Sequence, residues 1–166
     1  MNAVIRILGV DPGSAATGWG VVESSGARLS YVASGVIRPK RGSAPAQKLS
    51  VIFEGLRELI AEFAPDEAAV EETFVNANPR DALVLGQARG VALLAPGLAG
   101  LSVAEYAANS VKKSVVGKGH ADKTQVAAMV KVLLPKCGTL ASDEADALAV
   151  AICHAHHAGI RRLEAS

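Results

Sequence analysis

No stretch of the 166 residues stays apolar over the roughly 18 positions that a membrane-spanning helix requires. A signal-peptide cleavage pattern is also missing. The short apolar run from Met1 to Val10 leads straight into Asp11-Pro12-Gly13, so a cytoplasmic location is expected. Cysteine is scarce: Cys137 and Cys153 stand far apart without metal-ligand spacing and read as two reduced thiols. There is no internal repeat and no low-complexity linker, which leaves one domain over 1–166 as the expectation. An excess of one charge is lacking too. The formal net charge is +1, which by itself argues neither for nor against a nucleic-acid partner.

What is present fits a globular chain, with 50% hydrophobic and 20% charged residues. The charges are unevenly placed. Between Tyr106 and Ser142 stand six lysines (112, 113, 118, 123, 131 and 136) against a single acid, Asp122. Such a segment is either a phosphate-binding surface or a solvated charged face.

Val4 to Val10 is a near-continuous apolar run rich in β-branched residues, as expected of a strand buried on both faces. Gly18 to Ser24 and Leu29 to Arg38 read as two further strands, with Ser25-Gly26-Ala27 as a hairpin turn. Leu49, Ile52, Phe53, Leu56, Leu59, Ile60 and Phe63 recur at helical steps before Pro65. Ala68 to Phe74 reads as a fourth strand. Asn78-Pro79 opens a second helix running to about Ala95, which Pro96-Gly97 is expected to end. Leu101 to Glu105 makes a short fifth strand. A short turn around Asn109 to Ser114 follows, then a Gly117–His120 loop. Asp122 caps one helix, and Ser142 is expected to cap another running to about His157. Three consecutive strands, then strands alternating with helices, imply an α/β fold. The expected form is a mixed five-stranded sheet flanked by helices on both faces, the order of the ribonuclease-H-like fold.

Four acids stand out by position. Asp11 ends the first strand, in a segment otherwise too apolar to carry a charge without a partner. Glu71 interrupts the fourth strand. Asp143 and Asp146, spaced i and i+3, share one face at the start of the last helix. Singly, each has a simpler reading: a turn cap, an edge residue, two acids complementing a helix dipole. If the first and fourth strands pair in parallel, however, all four converge. Four carboxylates cannot remain ionised in one pocket without cations between them. Hard oxygen-loving ions, Mg²⁺ or Mn²⁺, are the natural counter-charge, and two such ions about 3.5–4 Å apart suit phosphodiester hydrolysis.

Gly9-Val10-Asp11-Pro12-Gly13-Ser14, followed by Thr17-Gly18-Trp19-Gly20-Val21, resembles the opening of the RuvC-type Holliday-junction resolvases. Ala69 to Phe74, Leu85 to Ala92 and Asp143 to Ala149 resemble the same family in the same order, so the likeness covers nearly the whole chain. It implies an endonuclease making paired symmetric nicks in four-way junction DNA, in recombination and repair. Asp11, Glu71, Asp143 and Asp146 match the family's four catalytic metal-binding acids, which serve about two ions in each active site. Lys112 and Lys123 match its basic positions for DNA, and Lys118 lies in the adjoining loop. Phe74 matches an aromatic that stacks on a base, the alternative being a core residue. The resemblance also implies a homodimer working beside the RuvA–RuvB branch-migration complex. Gly86 and Gly90, each costing about 1 kcal/mol in a helix, permit close approach either of a second copy or of a neighbour within the same chain.

Other readings remain. Asp11-x-Gly13 alone also suits an actin-like ATPase fragment, although such enzymes need two domains to enclose a nucleotide. A non-catalytic junction-binding module and a related nuclease acting on RNA–DNA hybrids share the fold. Gly117-Lys118-Gly119 lacks the remainder of a phosphate-binding loop. His154, His156 and His157 near a helix end are read as favourable there electrostatically rather than as metal ligands.

Overall fold

The structure, a computed structural model, describes residues 3–73 and 78–165. Five strands form one sheet: β1 (Ile5–Asp11), β2 (Thr17–Ser25), β3 (Arg28–Ile37), β4 (Glu67–Glu72) and β5 (Ser102–Ala107). Their spatial order is β3-β2-β1-β4-β5. The three hairpin-linked strands pair antiparallel, whereas β1 with β4 and β4 with β5 run parallel. The helices are α1 (Pro45–Phe63), α2 (Pro79–Leu98), α3 (Ala108–Val116), α4 (Lys123–Leu133) and α5 (Ser142–Glu164), with a 3₁₀ turn over Pro135–Cys137.

Alternation along β1 divides the interior into two layers. Ile7 turns to one side, where it joins Val111, Val126, Val130, Leu148 and Ile152 of α3, α4 and α5. Leu8 and Val10 turn to the other and pack with Ile52 and Leu56 of α1 and Ala88 and Ala92 of α2. Each of these side chains is at least nine-tenths buried, which accounts for the continuous apolar run in β1.

Three glycines seat α5 on the sheet. A Cβ at Gly9 would fall on the carbonyl oxygen of Ala147, one at Gly18 on that of Asp143, and one at Gly20 on the side chain of Leu148. Helix backbone therefore lies directly on strand backbone, an approach that only a residue without a Cβ permits.

Several boundaries differ from expectation. Pro96 does not end α2, which continues to Leu98 with Pro96 buried inside it. Lying in the last turn, the proline forfeits a single backbone bond, and the helix finishes with Ala99 N–H donating to Ala95 O at 3.3 Å. Residues 109–114 belong to a full helix, α3, whose apolar Val111 and Val115 are buried. Ser142 is the first helical residue of α5 rather than its cap. Ala141 holds the cap position and supplies no side-chain hydrogen bond, and the helix runs past His157 to Glu164. Helix α1 begins earlier than Leu49, at Pro45. Strand β4 stops at Glu72, and Phe74 lies outside the described residues. The Asn78 and Asp122 caps form as expected, accepting from the N–H groups of Asp81 at 2.9 Å and Gln125 at 2.8 Å. No helix among the described residues is long and apolar enough to cross a membrane.

Candidate metal-binding active site

The site forms where β1 and β4 end side by side. Val10 and Val70 are register partners in the parallel pair, so the next residue on each strand, Asp11 and Glu71, emerges at the same sheet edge. The turn after Asp11 is held by buried Thr17. Its hydroxyl donates to Gly13 O at 2.8 Å, while Gly13 N–H donates to the hydroxyl at 3.3 Å. Thr73 donates to Glu71 at 3.4 Å. From the opposite side, α5 brings Asp143 and Asp146. Its depth is set by the contact of Gly18 with the Asp143 backbone.

One carboxylate oxygen from each of Asp11, Asp143 and Asp146 lies within 4.8 Å of the others. Glu71 is the hydrogen-bonded and repelling neighbour of Asp11. The Asp11 carboxyl is pushed up to about 9, first by burial, then by its hydrogen bond with Glu71 and by the negative charges of Glu71, Asp146 and Asp143. Uncompensated negative charge at this point is what a bound cation would relieve. Half-buried oxygen donors at this spacing fit a hard divalent ion.

Lys123, the first residue of α4, reaches the cluster, with Nζ 3.3 Å from Asp146 Oδ2. Asp146, and beyond it Asp11 and Asp143, raise the lysine above its ordinary value and keep it charged. Lys112 is half-buried on α3 and Lys118 is exposed in the following loop. Neither pairs with these acids among the described residues. Phe74, with its expected stacking role, lies outside the described residues.

A family model for crossover junction endodeoxyribonuclease RuvC matches residues 7–154. Proteins of that description from Methylocella silvestris and Azorhizobium caulinodans are each 59% identical to this chain. The first aligns over 98% of this chain and 92% of its own length, the second over 95% and 94%. The chain belongs to the RuvC family of crossover junction endodeoxyribonucleases.

Among solved structures, Thermus thermophilus RuvC in complex with a Holliday junction substrate superimposes with a TM-score of 0.88 at 33% identity, covering 95% of this chain and 96% of that one. The yeast mitochondrial Holliday junction resolvase shares the fold, with a TM-score of 0.70 at 14% identity, covering 95% and 81%. The architecture is thus the ribonuclease-H-like one of the RuvC resolvases, with a mixed five-stranded sheet as expected from the element order.

Other residues near this edge had roles that the sequence reading did not assign. Arg89 of α2 pairs with Glu105 of β5 and stands 3.9 Å from Glu72, holding two further acids beside Glu71. Thr17 gave no signal as a turn clasp, because its partner is local backbone. Glu144 sits inside the Asp143–Ala149 motif but turns away toward β3, accepting from Ser34 at 3.1 Å. No local pattern could reveal the Arg89 and Glu144 pairings, since their partners lie on other elements.

Proposed function

We propose that this chain is a Holliday-junction resolvase that nicks four-way DNA junctions by metal-assisted phosphodiester hydrolysis. Asp11, Glu71, Asp143 and Asp146 are its catalytic metal ligands. The observation that carries the reading is the convergence of these acids, drawn from two parallel strand ends and one helix face, in a chain of the RuvC family.

The four acids would hold two divalent cations, Mg²⁺ or Mn²⁺. When bound, such ions supply an activated water and neutralise charge on the leaving 3′ oxygen. The protein's part is to orient the carboxylates. Asp11 and Glu71 are aimed by strand register, and Asp143 and Asp146 by the seating of α5 on glycine. No side chain is needed as a covalent nucleophile. Lys123 places a positive charge at the rim, where the scissile phosphate must approach, and Lys112 and Lys118 extend a basic surface for the DNA backbone. By resemblance to the family, Phe74 is assigned to stack on a base at the junction crossover.

Paired nicks require two sites, hence a homodimer with α2 as its main contact. Gly86 and Gly90 are exposed, and among the described residues a Cβ at either would meet nothing within 4 Å, so close approach of a second copy is what offsets their cost. Leu83, Leu94 and Leu98 of the same helix are exposed as well. The chain acts as one catalytic domain in the cytoplasm, beside the RuvA–RuvB branch-migration complex.

The test is incubation of the purified protein with a labelled mobile four-way junction and a linear duplex of the same sequence, each with Mg²⁺, Mn²⁺ or EDTA. Symmetric nicking of the junction alone, lost in EDTA and in Asp11→Asn, is expected. Nicking that persists in EDTA would refute the metal mechanism, and equal cutting of the duplex would refute junction selectivity.

A further inference from the structure

The start of α5 carries two of the four acids, yet no side chain caps it. Its cap residue is Ala141, with no side-chain hydrogen bond to the orphan N–H groups of the first turn. Ser142 does not replace it. A first turn in this state tends to fray, and Asp143 and Asp146 would move with it.

A side-chain strut ties this turn to the sheet. Glu144, between the two aspartates, accepts a hydrogen bond from the Ser34 hydroxyl of β3 at 3.1 Å. That bond uses the only proton of Ser34, so the 3.0 Å contact between Ser34 and Tyr31 has the Tyr31 hydroxyl as donor. The chain of bonds runs from Tyr31 to Ser34 to Glu144 and spans 110 residues of sequence at its last link.

The strut depends on an irregularity in β3. Residues 31 and 34 of a regular strand point to opposite faces. In this sheet Val22 pairs with Tyr31 while Val21 pairs with Ala33, so Val32 is an extra residue in the ladder. This bulge inverts the alternation and puts Tyr31 and Ser34 on the same face, toward α5. Gly20, the partner of Ser34, is the glycine on which Leu148 of α5 rests.

We infer that Tyr31, Ser34 and Glu144 are positioning residues that anchor the uncapped first turn of α5 to the sheet and hold Asp143 and Asp146 in their metal-binding orientation. The inference rests on the proposed metal site. Glu144 is thereby assigned a role different from that of its two acidic neighbours: it anchors, and does not ligate.

The experiment is a Mn²⁺ titration of the purified protein, without DNA, followed by the rise in thermal midpoint and by calorimetry. Wild type is compared with Ser34→Ala, Glu144→Ala, Glu144→Gln and Asp11→Asn. Ser34→Ala and Glu144→Ala are expected to weaken Mn²⁺ binding roughly 10-fold, the low end of what losing support behind a metal ligand costs. Glu144→Gln keeps an acceptor oxygen for Ser34 and is expected to bind within about twofold of wild type. Amides of residues 143–146 should exchange faster in the two alanine variants. Mn²⁺ binding by both alanine variants equal to wild type would overturn the inference, whatever their melting temperatures. So would an equal loss in Glu144→Gln, which would make the glutamate a ligand. Absence of any Asp11-dependent Mn²⁺ binding in wild type would instead bring down the metal site itself, and the strut's role with it.

Discussion

Lys123 Nζ stands 3.3 Å from Asp146 Oδ2, joining the first turn of α4 to the acid cluster across 23 positions of sequence. The lysine side chain is 76% exposed, so the pair adds at most about 1 kcal/mol to folding. Its charge remains available to a phosphate. Lys123→Ala is therefore expected to lower junction cleavage about tenfold, equivalent to ~1.4 kcal/mol, with little change in thermal midpoint. The slope of binding against salt should fall by roughly one phosphate contact. Single-turnover cleavage and binding over a salt series check this, and wild-type behaviour throughout would remove Lys123 from the DNA interface.

Asp11 makes the metal-free protein sensitive to pH. Its carboxyl is raised from 3.8 to about 9, so over this interval the folded chain keeps a proton that the unfolded chain releases. The stabilising contribution is complete below pH ~4 and is lost as pH climbs toward 9. In EDTA the thermal midpoint should fall between about pH 5 and 9. Asp11→Asn should flatten that fall and melt higher at neutral pH, by roughly 2–4 °C for each kcal/mol recovered. The same variant should bind junctions and not cut them. A midpoint profile identical to wild type would show that Asp11 does not carry the strain.

The glycine seat of α5 gives a prediction about geometry rather than charge. Alanine at Gly9 or Gly18 has no space, because its methyl would fall on helix backbone. Either substitution should cost about 1–3 kcal/mol through overpacking. In whatever protein still folds, cleavage should drop further than binding, as Asp143 and Asp146 are displaced. Urea titration with parallel cleavage assays would reveal this, and an unaffected Gly18→Ala enzyme would contradict the close seating.

Alanine at Gly86 or Gly90 meets open space, so each should stabilise an isolated chain by up to about 1 kcal/mol. Leucine at the same positions should weaken self-association across α2. Sedimentation equilibrium separates the two effects. A Gly90→Leu protein that dimerises like wild type would move the dimer contact elsewhere.

Much of the fold was legible because its signals are local. The near-continuous apolar run in β1, the helical stripe of α1 and the Asn78 and Asp122 caps depend on neighbours within a turn or a strand. Pro96 was misread because a breaker's local preference yields when it falls in a last turn and is buried. Ser142 was misread as a cap because the polar residue before a helix is only a tendency. The four acids were legible as a set through their motifs, whereas Lys112 and Lys118 carry no local mark distinguishing them from Lys123.

Sequence alone determined most of the elements and the sheet's mixed character, and it singled out the four acids as candidates, since side-chain period and backbone propensity act over a few residues. Tertiary structure decided which charges meet. The parallel register of β1 and β4 aligned Asp11 with Glu71, glycines let α5 descend onto the sheet, and a bulge turned Ser34 toward Glu144. Those outcomes depend on contacts between residues far apart in the chain, and such contacts exist only once the sheet and helices have packed.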